Sequence, residues 1–185
     1  FYESPSKIDY VNFVGTQSED ALNIVRSKFS LNHLKFTDIK ADALDIDFGQ
    51  GNIYKAIFEN IGNDAIDISG TDITMHHIQM NSVADKGISA GEASIVNGSD
   101  IDVRNTELAI TSKDNSVIKL NNVRVTKSSV AFVAFQKKSE FGPGKININN
   151  FTSDGKGETS LIEYGTVPSL NEDIIEGDQF NIEKI

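Results

Sequence analysis

The chain contains no cysteine and no tryptophan, and only 3 prolines and 2 methionines in 185 residues. Without thiols it can form neither a disulfide nor a thiolate metal site, which suits either redox compartment. Positive charge is scarce. Lys and Arg number 17 against 27 Asp and Glu, a net charge of −10. That balance excludes nucleic acid and an anionic membrane surface as expected partners, because phosphate contacts come from Lys and Arg. It is compatible with cations and with neutral or cationic polymers. No apolar run approaches the ~20 residues needed to cross a bilayer, so membrane insertion is not expected. No Ser-His-Asp set, Gly-rich phosphate loop or metal-spaced His pair occurs. His33 is isolated, and the adjacent His76 and His77 would face opposite sides of a strand. Aromatic residues make up 8%, so platforms for stacking sugars are few, with Phe135 and Phe141 as candidates. The chain opens Phe1-Tyr2-Glu3, with neither Met nor leader, and is expected to be a piece of a longer protein.

What the chain does have is a repeat. Asp42-Ala43-Leu44-Asp45-Ile46-Asp47 echoes Asp20-Ala21-Leu22-Asn23-Ile24 before it and Asp64-Ala65-Ile66-Asp67-Ile68 after it, at equal intervals. One apolar row is Leu22, Leu44, Ile66, Ile88, Ile110 and Phe132, preceded by a row of small residues, Ala21, Ala43, Ala65, Gly87, Ala109 and Ala131. A fixed period of about 22 residues marks a solenoid. Within each copy apolar and polar residues alternate, which is strand periodicity. A second run is read at Ile53, Ile73, Met75, Ile95 and Val117. A third is read at Leu34-Phe36-Ile39, Ile57-Phe58-Ile61, Ile78-Met80-Val83, Ile101-Val103, Val123-Val125 and Ile146-Ile148-Phe151.

Three short strands in each copy leave no room for a crossover helix, so equivalent strands of successive copies must pair in parallel. The expected fold is all-β: one right-handed parallel β-helix of about seven coils with three short parallel sheets. Residues 1–19 read as the end of a preceding coil, 20–151 as regular coils and 152–185 as an irregular last coil. In that last coil, Thr152–Thr159 reads as an insertion, with strands at residues 160–164 and 180–182. The polar row Asp38, Asn60, Ser82, Asn105, Lys127 and Asn150 reads as turn chemistry.

Chemistry is sought on the outward side of the first strand. One column there is Asn23, Asp45, Asp67, Ser89 and Thr111; a second is Asp20, Asp42, Asp64 and Lys86; Asp47 and Ser69 extend the patch. Three readings compete. The first is a solvated acidic face. The second is a hard-cation site, with Asp45 and Asp67 as oxygen ligands for Ca²⁺, the only cofactor the pattern admits. The third is a pair of carboxylates for glycosidic cleavage. Farther along, Lys86, Lys113 and Lys137 or Lys138, with Glu92, Asp114 and Glu140 nearby, read as an intercoil ladder of charges able to grip a glycan.

Two resemblances bear on this face. Asn63-Asp64-Ala65-Ile66-Asp67-Ile68 followed by Asp85-Lys86-Gly87-Ile88-Ser89-Ala90-Gly91 resembles the polygalacturonase type of glycosidase, within the pectate-lyase-like superfamily. The resemblance implies catalytic roles for Asp42 and Asp64, with Asp67 beside them. Asn63 replaces one Asp of that family's pair, Lys86 stands where its His would be, and Val117-Ile118-Lys119 lacks its Arg. Asp85–Glu92, Ser112-Lys113-Asp114 and Gln136–Gly142 resemble the β-helix region of large bacterial secreted or surface proteins, some of them with CotH-type kinase domains. The expected function is therefore a secreted or cell-surface module. It would bind polysaccharide or act as a rigid spacer beside neighbouring domains, with Asp45, Asp47, Lys86, Glu92, Lys113 and Lys137 as ligand contacts. The alternative is a glycoside hydrolase or polysaccharide lyase acting on an acidic glycan through Asp42, Asp64 and Asp67.

Overall fold

The computed structural model describes residues 1–163, 169–171 and 173–174. Tyr164 and the expected closing strand at 180–182 lie outside the described residues. The described residues form an all-β parallel solenoid of about seven turns without a helix, as the repeat requires. The strands are β1 (Ser6–Val14), β2 (Asp20–Val25), β3 (Lys28–Ile39), β4 (Asp42–Asp47), β5 (Gln50–Ile61), β6 (Ile66–Ser69) and β7 (Asp72–Gly91). They continue as β8 (Ile95–Lys113), β9 (Val117–Thr126), β10 (Val130–Phe135), β11 (Lys145–Ser153), β12 (Glu158–Ile162), β13 (Ser169–Leu170) and β14 (Asp173–Ile174). Every pairing is parallel except that of β13 with β14.

Register follows the period. Leu22, Leu44, Ile66, Ile88, Ile110 and Phe132 are successive pairing partners, and all six are buried. The small row is buried beside them from Ala43 onward, with Ala21 partly buried, and Gly87 shows why it must stay small: a Cβ there would lie 2.5 Å from the Ala109 carbonyl oxygen. In another inward column Phe13, Phe36 and Phe58 stack with centroids 4.7 and 4.9 Å apart. That spacing is the distance between neighbouring strands, so identical rings on consecutive coils meet face to face.

Each coil turns at three bends marked by backbone in the left-handed region, one residue at most of them and two at Glu92-Ala93 and Asp114-Asn115. The third bend is the polar row foreseen as turns: Asp38, Asn60, Ser82, Asn105, Lys127 and Asn150 have φ between 53 and 59°. The second bend, between the second and third faces, comprises Tyr10, His33, Lys55, His77, Asp100 and Asn122, with φ of 52 to 61°. The first bend holds Arg26, Phe48, Gly70, Glu92 and Asp114. A hydroxyl ladder stiffens this bend from inside. The amides of Gly49, Thr71 and Ser94 donate to the side-chain oxygens of Thr71, Ser94 and Ser116 at 2.9 to 3.1 Å.

The structure corrects several assignments. Ile73 pairs with Val96, not Ile95, because one extra residue enters at Glu92-Ala93 and is lost again between Val83 and Lys86. A one-residue slip turns a side chain to the opposite face. Ile95 is therefore exposed, Val96 and Ile118 fill the core, and Val117, its pairing partner, leaves the inward row. Ile57 also points outward. Ile146 and Ile148 belong to the second face, opposite Ile118 and Leu120. The insertion lies elsewhere than foreseen. Val117 pairs with Lys145, where the strict period would place Ser139, so six extra positions fall between Phe135 and Lys145. Thr152 is an ordinary strand residue in β11, paired with Arg124.

Positive φ costs an L-residue roughly 1–2 kcal/mol, most when it is β-branched. Ser82, at φ 59° with no side-chain hydrogen bond, is a clean test. Ser82→Val should lower unfolding free energy by roughly 1–3 kcal/mol in urea melts, and Ser82→Gly should change it by less than about 1 kcal/mol.

Candidate functional site

The outward columns expected on the first face are assembled as drawn. Asp20 pairs with Asp42, and Asn23, Asp45, Asp67, Ser89, Thr111 and Val133 lie in one register column. Strand alternation places them outside the Leu/Ile stack. The face changes character along the axis, from acidic in β2, β4 and β6 to lysine-bearing in β7 and β8. In β10 it becomes apolar, where Val130, Val133 and Phe135 cluster with Leu108 and Leu161. Phe135 is buried there and offers no stacking surface.

The candidate carboxylates divide into two kinds. Asp42 and Asp64 are tied to backbone. Asp42 Oδ1 accepts from the Asp64 amide at 2.8 Å and from Asn63 Nδ2 at 2.6 Å. Asp64 Oδ1 accepts from the Lys86 amide at 3.0 Å, and the side chain is buried. They form a rung-to-rung ladder, each carboxylate holding the amide of the equivalent residue one coil on. Asp45, Asp47 and Asp67 are half-buried and face outward. Asp45 Oδ2 accepts from Asn23 Nδ2 at 2.7 Å, and Asp67 Oδ1 accepts from the Ile68 amide at 3.1 Å and lies 3.9 Å from Lys113 Nζ.

Burial, reinforced by crowding, sets the protonation of this patch. Burial, reinforced by Asp47, Asp20, Asp67 and Asp42, pushes the Asp45 carboxyl up to about 7. Burial pushes Asp64 up to about 6 against the pull of Lys86. Burial also raises Asp42, despite its two hydrogen bonds, and Asp47, where Asp67 and Glu92 add repulsion. Burial works against the Lys86 ammonium, but Asp85, Asp64 and Asp67 outweigh it and hold that lysine above its ordinary value. For Lys113 burial wins, helped by Lys137, and its pKa is lowered despite Asp67.

The expected charge ladder is rearranged. Lys86 and Lys113 occupy different columns, since Lys86 pairs with Leu108 in the register and Lys113 with Phe135. Each lysine reaches back to a carboxylate of an earlier coil. Lys86 sits 3.6 Å from Asp64 and bonds Asp85. The Lys113 stem crosses Gly91, where a Cβ would meet its Cε at 3.0 Å, to approach Asp67. Lys138 bonds Glu92, while the Lys137 side chain is exposed. The insertion after Phe135 is what brings Lys138 there. Its Lys137 and Lys138 amides both donate to Asp114 Oδ1 at 2.7 Å, and its Gly142 amide donates to Asn115 Oδ1 at 2.8 Å. The insertion thus walls one edge of the first face.

Among the described residues no group of three or more His, Asp or Glu side chains converges to hold a metal ion; a calcium site would rest on Asp45 and Asp67 alone. Among the described residues no helix is long and apolar enough to cross a membrane. Sequence reasoning missed the polar side chains Ser89 and Thr111 as orphans. Both are fully buried, and neither Ser89 Oγ nor Thr111 Oγ1 has a hydrogen-bond partner. It also missed an aromatic strip on the second bend. His33 is not isolated but stacks on Tyr10 at 4.4 Å. The residues were visible as Tyr10, His33, Tyr54 and His77, but not their left-handed bend. Comparison with known proteins found no matching family model, no matching curated protein and no matching solved structure.

The raised Asp45 pKa has a signed consequence. Between the unfolded value near 4 and the folded value of about 7, the folded chain binds more protons, so stability falls as pH rises through that window. Asp45→Asn removes the penalty. It should melt higher than the parent at about pH 8, with the difference closing as pH falls toward about 4, in thermal melts across that range.

Proposed function

We propose that this solenoid is a polysaccharide-binding module of a secreted or surface bacterial protein, and that the first face is its gripping surface. The reading rests on one observation: a single strand position carries a hydrogen-bonding side chain on five successive coils, Asn23, Asp45, Asp67, Ser89 and Thr111. Coils repeat at about 4.8 Å, so Asn23, Asp45 and Asp67 offer polar groups at a regular interval to a ligand that is itself a regular polymer of hydroxyls. The open part of the column is Asn23–Asp45–Asp67. The hydroxyls of Ser89 and Thr111 lie sealed and unpartnered on the same column. The wall at Gln136–Gly142 and the lysine–carboxylate pairs border this surface. The secreted and bacterial setting is supported by the resemblance at Asp85–Glu92, Ser112–Asp114 and Gln136–Gly142.

Cleavage of an acidic glycan is the second reading, and one observation favours it. A carboxyl raised to about 7 remains partly protonated at neutral pH, as a general acid must. On this reading the acid is Asp45, because Asp42 and Asp64 are committed to backbone amides.

One experiment separates the two. The chain is incubated with a panel of neutral and acidic polysaccharides, and both retention and new reducing ends are measured. The expected outcome is retention without cleavage, weakened about tenfold or more by Asp67→Asn and by Lys113→Ala, equivalent to the loss of one charge-assisted contact. Reducing ends that vanish in Asp45→Asn would establish the hydrolase instead. Retention of nothing on the panel would sink the glycan reading.

A further inference from the structure

The second bend carries apolar surface that the first-face reading does not use. Tyr10 is 75% exposed, Tyr54 42% and Ile57 37%, on a chain with net charge −10. They are not scattered. Tyr10 stacks on His33 with centroids 4.4 Å apart and planes within 10°. Tyr54 then stands edge-on between His33 at 6.4 Å and His77 at 5.1 Å. The geometry that makes this strip is the bend itself, since left-handed backbone at Tyr10, His33, Lys55 and His77 recurs on four consecutive coils at one corner of the solenoid.

A groove of about 470 Å³ runs beside the strip, lined by His33, Lys35, Lys55, Ile57, His77 and Gln79. Its base is apolar, with buried Leu34 and Ala56 under exposed Ile57. Its walls are polar, and one of their two lysines is already matched. Lys35 pairs with Glu59 at 2.8 Å; His33 and His77 lie 3.6 Å from Asp9 and Asp100. Lys55, also on the lining, takes part in no ion pair among the described residues. His33 Nδ1 is buried and has no hydrogen-bond partner. An apolar floor, aromatic neighbours, a few polar groups and one unmatched cation are the components of a small-ligand site. The apolar floor suits the C–H face of a pyranose ring, Tyr54, packed against the groove-lining His33 and His77, extends that surface beside the groove, and Lys55 suits a carboxylate.

We propose that this groove is a second saccharide site, separate from the first face, that takes a glycan carrying carboxylates. It shares with the proposed function only the class of ligand.

The test is calorimetric titration of the whole chain with a glucuronate-containing tetrasaccharide and with its carboxyl-reduced, neutral counterpart. Binding of the acidic form is expected, with the neutral form about tenfold weaker. Tyr54→Ala should weaken the acidic form about tenfold, and Tyr54→Phe should retain it, which separates lost stacking from lost folding. Lys55→Gln should bring the acidic form down to the affinity of the neutral one. Asp67→Asn, on the first face, should leave this titration unchanged. The inference is overturned if the acidic tetrasaccharide gives no heat, if Tyr54→Ala and Lys55→Gln bind like the parent, or if only Asp67→Asn loses binding. That last result would leave the first-face reading standing. Loss confined to the Tyr54 and Lys55 variants would support the groove and count against the first face as the binding site for this ligand.

Discussion

Parallel pairing between coils, at the constant step of one repeat, sustains everything else in this molecule. No coil is independent. Each face of each coil takes its hydrogen bonds from the coil before and gives them to the coil after. The same register stacks like on like in the interior, so that Phe36 lies on Phe58 and Leu44 on Ile66. The two additions to the period fall at a bend. The single extra residue at Glu92-Ala93 and the six between Phe135 and Lys145 both sit at the first bend, and the stack continues beyond them.

The bends are where the period is costly. At the second and third bends the left-handed positions are filled by Tyr, His, Lys, Asp, Asn and Ser. Only 14 glycines are available in the chain, and those at close contacts serve packing instead. At Gly51 a Cβ would lie 2.2 Å from the Phe29 carbonyl oxygen and 2.6 Å from its ring. The solenoid compensates locally. Asn60 and Asn122 donate to Asp38 and Asp100 across the stack at 3.0 Å, and the first bend is held by hydroxyls on buried amides. Keeping a side chain at each bend also puts a column of functional groups at the corner, which is how His33, Lys55 and His77 come to border one groove.

Stacking has a second consequence on the first face. Like residues at one strand position become like charges one coil apart, and the acidic coils place Asp45 among four other carboxylates. Asp42 and Asp64 escape the conflict partly by accepting backbone amides of the next coil, and three lysines are drawn back across the coils toward Asp64, Asp67 and Glu92. The result is a face with titratable groups near neutrality at one end and a covered apolar cluster at the other.

Periodicity alone, a local property of the chain, reveals the fold class, the inward row from Leu22 to Phe132, the small row beside it and the outward column from Asn23 to Thr111. The third bend is legible in the same way, because Asp, Asn and Ser are recognisable turn formers. The second bend was illegible at Tyr10, His33, Lys55 and His77, since Tyr, His and Lys do not announce a left-handed backbone. Which carboxylates face outward and which hold amides was settled by the packing of the coils. The difference between Asp64 and Asp67 is one of position relative to the next coil, and both are Asp. Phase was settled there too. Ile95 and Val96 are equally apolar, and the core chose between them through a residue added at the preceding bend. The aromatic strip likewise joins residues 10, 33, 54 and 77, which no short window of sequence contains and which meet only because the coils are stacked.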